Sequence, residues 1–243
     1  MTYCVALRLD QGLLFMSDTR TNAGVDNIST FRKMFNWSVE GDRVITILTA
    51  GNLATTQAVV SLLNERSVIP ADRKQTLLAA PTMFQVARLV GDTLKEVIHS
   101  QAEEGQTAES TFGATIIVGG QIRGMEPRLF LVYPEGNFIE ASDETPFFQA
   151  GETKYGRPII LRAFDPVMSF EDAIKLLFVS FDSTLKANLA VGMPLDLHAY
   201  RIDTFETGIQ RRVPSDDPYF HAISSDWGRA LKEAIDKLPD FSF

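Results

Sequence analysis

The chain has little of what disulfide-bonded or metal-binding proteins use. Its 243 residues include one cysteine, Cys4, so an internal disulfide is excluded and a reducing compartment such as the cytoplasm is expected. Its three histidines, His99, His198 and His221, are scattered and lack the spacing of metal ligands. We therefore expect no bound metal ion.

Long apolar runs, basic stretches and flexible linkers are also lacking. The apolar runs are too short to cross a membrane, and no Pro-, Gly- or Ser-rich segment divides the chain, so we expect one domain over residues 1–243. The N-terminus carries Arg8 and Asp10 where a secretory signal would be apolar, so we expect no such signal. A formal net charge of −8 disfavours nucleic acid as a partner.

Hydrophobic periodicity predicts blocks of strands, each followed by helices. Strands are expected at 3–9, 13–18, 34–39, 43–49, 113–119, 128–133, 137–141, 197–203 and 206–211. Helices are expected from Asn52 to about Arg66 and at 82–100, 154–163, 169–189 and 224–238. This order favours an α+β fold. A four-layer αββα sandwich, with two stacked antiparallel sheets between helices, and a two-layer α+β domain both fit.

The second residue offers a nucleophile that carries its own base. If an aminopeptidase removes Met1, which the small side chain of Thr2 permits, Thr2 has both a hydroxyl and a free α-amine. An α-amine has a pKa of about 7.7–8.0, so part of it is neutral near pH 7 and accepts the hydroxyl proton as the oxygen attacks a carbonyl. Thr after Met is common, so other residues must support this interpretation.

Several segments carry a resemblance to a known family. They are the N-terminal Met-Thr-Tyr-Cys, Ser17–Lys33, Leu48–Gly51, Gly151–Gly156 and Asp182–Thr184. With them the chain resembles the proteasome β subunits, which are threonine peptidases of the N-terminal nucleophile hydrolase class. Within that family it is similar to the bacterial branch of ancestral β subunits, Anbu. The resemblance covers essentially the whole chain and implies the four-layer αββα sandwich.

The resemblance implies a role for each of five residues. Thr2 matches the nucleophile, Asp18 its acidic partner and Lys33 the charged residue beside it. Gly51 matches the backbone amide that holds the oxyanion, and Asp182 a later aspartate near the nucleophile. The Lys33 ammonium would favour deprotonation of Thr2, and Asp18 would fix that lysine. An oxyanion donor is worth about 3–4 kcal/mol.

The family positions also imply a substrate pocket and show one departure. The pocket would be lined by Thr21, Phe31, Met34, Thr49 and Leu53. Where many catalytic β subunits have Gly-Ser-Gly, this chain has Gly151-Glu152-Thr153, so a carboxylate replaces a hydroxyl. A serine expected downstream of Asp182 has no match.

Taken one at a time, the same residues have ordinary structural interpretations. An aspartate such as Asp18 at a strand end is typical of a cap or Asx-turn, and Lys33 alone is typical of a solvated surface charge. Gly51 fits a strand-to-helix turn, and Cys4 alternates onto the core side of the first strand. Only their joint occurrence behind a threonine start points to catalysis.

Three functions remain open. The first is a threonine-type peptidase or amide hydrolase without metal or organic cofactor, in a homo-oligomeric ring or open spiral as the resemblance implies. The second is a noncatalytic ring- or spiral-building scaffold subunit with a vestigial site. The third is an acylase-type enzyme that acts on a small amide. None of them involves a nucleic acid or a membrane, and the sequence does not identify any ATP-driven partner.

Overall fold

The computed structural model describes residues 1–22, 28–68, 76–101 and 112–242, so part of the segment Ser17–Lys33 lies outside the described residues. One sheet contains β1 (Tyr3–Leu9), β2 (Gly12–Asp18), β10 (Phe147–Gly151), β11 (Leu195–Arg201) and β12 (Ile209–Val213). The other contains β5 (Met34–Val39), β6 (Arg43–Gly51), β7 (Ala114–Ile122), β8 (Arg128–Val132) and β9 (Phe138–Glu140). A short hairpin contains β3 (Arg20–Asn22) and β4 (Ile28–Thr30). The helices are α1 (Leu53–Val68), α2 (Met83–Gln101), α3 (Arg157–Ala163), α4 (Phe170–Ala187) and α5 (Pro218–Ile235).

Both large sheets are antiparallel, with strand orders β10-β1-β2-β11-β12 and β5-β6-β7-β8-β9. The first strand of the chain therefore has a partner on each side. Tyr3 pairs with Gly151 of β10, and Cys4 pairs with Ser17 of β2. The beginning of the chain is thus fixed within a sheet from the third residue.

Three apolar clusters separate four layers of secondary structure. Because side chains alternate along a strand, Val5 and Leu7 of β1 join the cluster that α4 covers, whereas Cys4 and Ala6 join the cluster between the two sheets. A third cluster fills the space between the second sheet and helices α1 and α2. The predicted four-layer αββα sandwich is confirmed, and the two-layer alternative is wrong.

Most predicted elements are confirmed within a few residues, and the differences have local causes. The strand predicted at 197–203 ends at Arg201 because the chain turns there, with Asp203 at φ 63°. The helix predicted at 224–238 begins at Pro218, because Asp217 accepts the N–H of Phe220 at 2.9 Å and caps it. Strands β3, β4 and β10 were not predicted. Of the helices within the described ranges, none has the length and apolar character needed to span a membrane.

A buried histidine joins the two sheets. His198 of β11 stacks on Phe15 in the cluster between the sheets. Its Nε2–H donates to the Thr207 carbonyl oxygen at 2.6 Å, and its Nδ1 lies 2.8 Å from the Thr46 hydroxyl of β6, which donates to Asn36 Oδ1. Burial lowers the pKa of His198, and the hydrogen bond to Thr207 opposes that shift. Burial therefore favours the neutral ring in the folded protein.

We predict that His198 makes the fold acid-sensitive. In the unfolded chain a histidine binds a proton below about pH 6.5, whereas the lowered pKa of His198 makes the folded protein bind it less readily, so the free energy of unfolding should fall as the pH drops through that value. Urea unfolding at pH 7.5 and 5.5 should show that H198Q reduces this fall by about 1 kcal/mol. The exposed His221 supplies the control H221Q. Equal pH dependence in H198Q and H221Q would contradict the prediction.

Candidate active site

The first sheet holds the N-terminal residues in place. The backbone oxygen of Thr2 accepts the N–H of Glu152 at 2.6 Å. Gly151, at the end of β10, has φ 85°, and a Cβ there would lie 1.9 Å from the same Thr2 oxygen. Glycine is therefore required for this close approach. Thr2 is 7% exposed, whereas Met1 is 64% exposed.

A buried ion pair lies beside this segment. Lys33 Nζ donates to Asp18 Oδ1 at 2.8 Å, and both side chains are almost fully buried. Asp18 also accepts the N–H of Tyr3 at 2.9 Å and the N–H of Gly192 at 3.2 Å. Its partners within the described residues are thus three donors, which suits the ionised carboxylate. Burial raises the pKa of Asp18, and the Lys33 ammonium with the two N–H groups opposes that rise.

The Lys33 ammonium reaches the peptide bond that joins Met1 to Thr2. Its Nζ lies 2.6 Å from the Arg20 carbonyl oxygen and 3.4 Å from the Met1 carbonyl oxygen. The carbonyl oxygen of Lys33 accepts the N–H of Thr49 at 2.9 Å, so its main chain is held as well. Because the Thr2 nitrogen belongs to the same peptide bond as the Met1 oxygen, the ammonium lies next to the future α-amine of Thr2.

The charges around the N-terminus shift the pKa of the terminal amine in opposite directions. Burial, and after it the ammonium of Lys33, lower the pKa of the Met1 amine. The carboxylates of Asp18 and Glu152 act to raise it. A terminal amine in this place is therefore made less basic by one cation and more basic by two anions.

A cavity of about 380 Å³ opens beside Thr2 and Lys33. Gly51 lines it at the junction between β6 and α1. Gly51 has φ 112°, and a Cβ there would lie 2.5 Å from a backbone oxygen, so the turn requires glycine. Asn52 then caps α1, since its Oδ1 accepts the N–H of Thr55 at 3.1 Å. The first turn of α1 borders the cavity, and a helix N-terminus favours negative charge.

Three of the five predicted pocket residues line this cavity, namely Thr21, Thr49 and Leu53. Met34 is instead buried between the sheets and lines a second cavity of about 250 Å³, because side chains alternate where β5 begins after Lys33. Phe31 is partly exposed and does not border the cavity, so the structure brings neither residue to Thr2. Lining residues that the sequence did not indicate are Ala50, Asn52, Ala54 and Thr56.

Asp182 and Glu152 differ in their relation to Thr2. Asp182 of α4 is buried and accepts from Lys186 Nζ, one turn later, at 2.8 Å. In the described parts of the chain no hydrogen bond joins it to Thr2, so its catalytic role stays a prediction. Glu152 contacts Thr2 through its backbone, and its carboxylate accepts from Asn188 Nδ2 at 2.9 Å. Asn188 follows α4 and carried no signal in the sequence.

Comparison with known proteins identifies the origin of this arrangement. The family model of the proteasome subunit matches residues 2–192. The chain belongs to the proteasome subunit family. The match includes Thr2, Asp18, Lys33, Gly51 and Asp182, and no curated protein matches the chain.

Solved structures of Anbu proteins are similar to this chain along its length. Anbu, the ancestral beta-subunit, from Yersinia bercovieri is 45% identical with a TM-score of 0.93, and all of both chains is covered. Anbu from Hyphomicrobium sp. strain MC1 is 50% identical with a TM-score of 0.92, again over both whole chains. A chain described as the helical assembly of the Anbu complex from Pseudomonas aeruginosa is 43% identical with a TM-score of 0.93, covering 99% of this chain and 98% of that one. The predicted resemblance to the Anbu branch is confirmed.

We predict that the Asp18–Lys33 pair is strongly coupled. K33M should lower the free energy of unfolding by about 3–5 kcal/mol, because it leaves a buried carboxylate without its cation. D18N combined with K33M should recover much of that loss, since the buried negative charge is then gone. Urea unfolding of wild type, both single variants and the double variant measures the coupling.

The exposed pair of Arg229 and Asp226 supplies the control for this cycle. R229M should change the free energy of unfolding by less than about 1 kcal/mol, because exposed ion pairs are screened by water. A loss in K33M no larger than that in R229M would show that the buried pair does not matter for stability.

Proposed function

We propose that this chain is a threonine-type peptidase or amide hydrolase that uses Thr2 as its nucleophile once Met1 has been removed. The observation that carries the proposal is the position of the Lys33 ammonium. It is held by buried Asp18 and lies 3.4 Å from the carbonyl oxygen of the Met1–Thr2 peptide bond. The cavity of about 380 Å³ beside it gives a substrate carbonyl room to approach.

The proposed reaction uses groups already present in the chain. The Thr2 hydroxyl oxygen attacks the carbonyl carbon while its proton passes to the neutral α-amine of the same residue. Negative charge develops on the carbonyl oxygen, and the Gly51 N–H with the first turn of α1 would stabilise it. The amine returns the proton to the leaving nitrogen as the C–N bond breaks. Water, activated by the same amine, then hydrolyses the acyl ester and frees Thr2.

Met1 decides whether this chemistry is possible. While Met1 is attached, the Thr2 nitrogen is an amide nitrogen, which is not basic and cannot accept the hydroxyl proton. Lys33 would also interact with the Met1 carbonyl oxygen rather than with a free amine. The chain that retains Met1 is therefore the natural inactive control.

We predict that only the chain beginning at Thr2 is acylated by an electrophile such as a β-lactone. Releasing the chain from a cleavable fusion gives forms that begin at Thr2 or at Met1, and intact mass confirms each start. Peptide mass spectrometry should find the added acyl group on Thr2 in the first form and not in the second. T2A should lose it and T2S should keep it, because serine retains the hydroxyl. Labelling that persists in T2A would contradict the proposal.

A noncatalytic scaffold subunit is the second candidate, and a surface feature favours self-assembly in either case. The sequence predicted an apolar stripe on the last helix, but α5 and the residues after it leave that stripe outside the core. Leu231, Ile235 and Leu238 are 43%, 64% and 66% exposed. An apolar stripe of this kind on a helix is typical of a protein–protein interface. The helical assembly of the Pseudomonas aeruginosa relative supports the proposal that a second copy covers it.

We predict that I235E reduces self-association, because it would bury an unpaired carboxylate in the contact between copies. Sedimentation velocity or light scattering should show a smaller assembly for I235E than for wild type at the same concentration. Ser225, exposed on another face of α5, supplies the control S225E, which adds the same charge and should leave the assembly unchanged. Equal assembly size in I235E and wild type would exclude this stripe as the contact.

A further inference from the structure

Glu152 has a fixed carboxylate beside the start of the chain. Its backbone N–H donates to the Thr2 oxygen at 2.6 Å, so the residue cannot move away from Thr2 without breaking that bond. Its Oε2 accepts from Asn188 Nδ2 at 2.9 Å, and its Oε1 accepts the N–H of Lys154 at 3.4 Å. The same Asn188 nitrogen lies 3.9 Å from the Met1 sulfur. The carboxylate and Met1 thus share one small region.

Glu152 is also a buried charge whose hydrogen-bond donors are neutral. It is 7% exposed, and within the described residues neither the Asn188 amide nor the Lys154 N–H carries a charge. Buried carboxylates are normally paired with a cation. The nearby ammonium of Lys33 is already engaged by Asp18 and by the Arg20 carbonyl oxygen. The described ion pairs include none between Glu152 and a lysine or arginine, and the N-terminal amine is a cation on which the charge of Glu152 acts.

We propose that the Glu152 carboxylate, oriented by Asn188, holds the free α-amine of Thr2 and so acts as a positioning residue for the nucleophile. This inference deepens the proposed function and rests on it for its catalytic meaning. Removal of Met1 frees the amine and empties the space beside Asn188 that the Met1 side chain occupies. The amine then lies between the Lys33 ammonium and the Glu152 carboxylate.

The charges that face this amine come from three segments of the chain. Burial, and after it Lys33 just before β5, lower the pKa of the Met1 amine, whereas Asp18 of β2 and then Glu152 after β10 act to raise it. From α4, Asp182 is paired with Lys186, and Asn188 is neutral. Asp18 is already bonded to Lys33, whereas the described donors to Glu152 are neutral, so Glu152 is the carboxylate that we expect to accept from the amine. It should hold the amine in its protonated form and move nucleophilic reactivity to higher pH.

E152Q tests this, because glutamine keeps the shape and an acceptor oxygen for Asn188 but removes the charge. With chains released at Thr2, trace acetylation by acetic anhydride across a range of pH reports the neutral fraction of the α-amine. Mass spectrometry of the N-terminal peptide gives the midpoint. The midpoint in E152Q should lie about one unit below that of wild type. E135Q, which removes the charge of an exposed glutamate in a turn, should leave it unchanged.

Two further readings separate this inference from the proposed function. The pH midpoint of Thr2 acylation by a β-lactone should move down in E152Q by the same amount as the acetylation midpoint. N188A, which loosens the carboxylate, should shift the acetylation midpoint in the same direction but less. If the acetylation midpoint shifts in E152Q but no chain reacts with the lactone, the contact between Glu152 and the Thr2 amine is supported. Only the proposed hydrolase activity is then overturned. If E152Q and E135Q have the same acetylation midpoint, the contact between Glu152 and the Thr2 amine is overturned, whether or not Thr2 reacts with the lactone.

Discussion

The buried pair of Asp18 and Lys33 connects the parts of the molecule on which the site depends. Asp18 ends β2 in the first sheet, and Lys33 immediately precedes β5 in the second. Asp18 also accepts the N–H groups of Tyr3 and Gly192, so one carboxylate joins four segments. A buried ion pair is weak evidence for stability, since apolar side chains often replace it without loss. Its physical use here is to keep an ammonium at a fixed place beside Thr2.

The layers of the fold were predicted well from the sequence. Strands that are short, or that are buried on both faces, were missed. Strands β1, β6 and β7 have long apolar runs, and α2 and α4 have clear helical periodicity, so they were found within a few residues. β10 is a short run, Phe-Phe-Gln-Ala-Gly, that is buried on both faces and shows no alternation. β3 and β4 have three residues each and mostly polar side chains. The stripe on α5 was found correctly, but periodicity does not say which partner covers it.

The candidate site was harder to predict from the sequence, because its residues come together from elements that are distant in sequence. Thr2 could be interpreted from its chemistry, whereas the roles of Asp18, Lys33 and Gly51 came from the family resemblance. No spacing rule gives the approach of Lys33 to the Met1 carbonyl, which depends on how the two sheets stack. Asn188 was missed because an asparagine after a helix is typical of an ordinary cap. Met34 was assigned to the pocket from the family positions, but the alternation of side chains along β5 directs it towards the core.

The same geometry explains why family membership and activity are separate questions. The fold determines where Thr2 lies, because β1 has a partner on each side and the Glu152 N–H donates to the Thr2 oxygen beside Gly151. In the proposed reaction, reactivity depends instead on the protonation of the Thr2 amine, and a few nearby charges would set that protonation. Burial and Lys33 lower the pKa of the Met1 amine, and Glu152 acts to raise it. Loss of the Lys33 charge would also destabilise the fold through Asp18, whereas a change of the Glu152 charge would act mainly on the base, so the proteasome fold constrains the position of the nucleophile more than its reactivity.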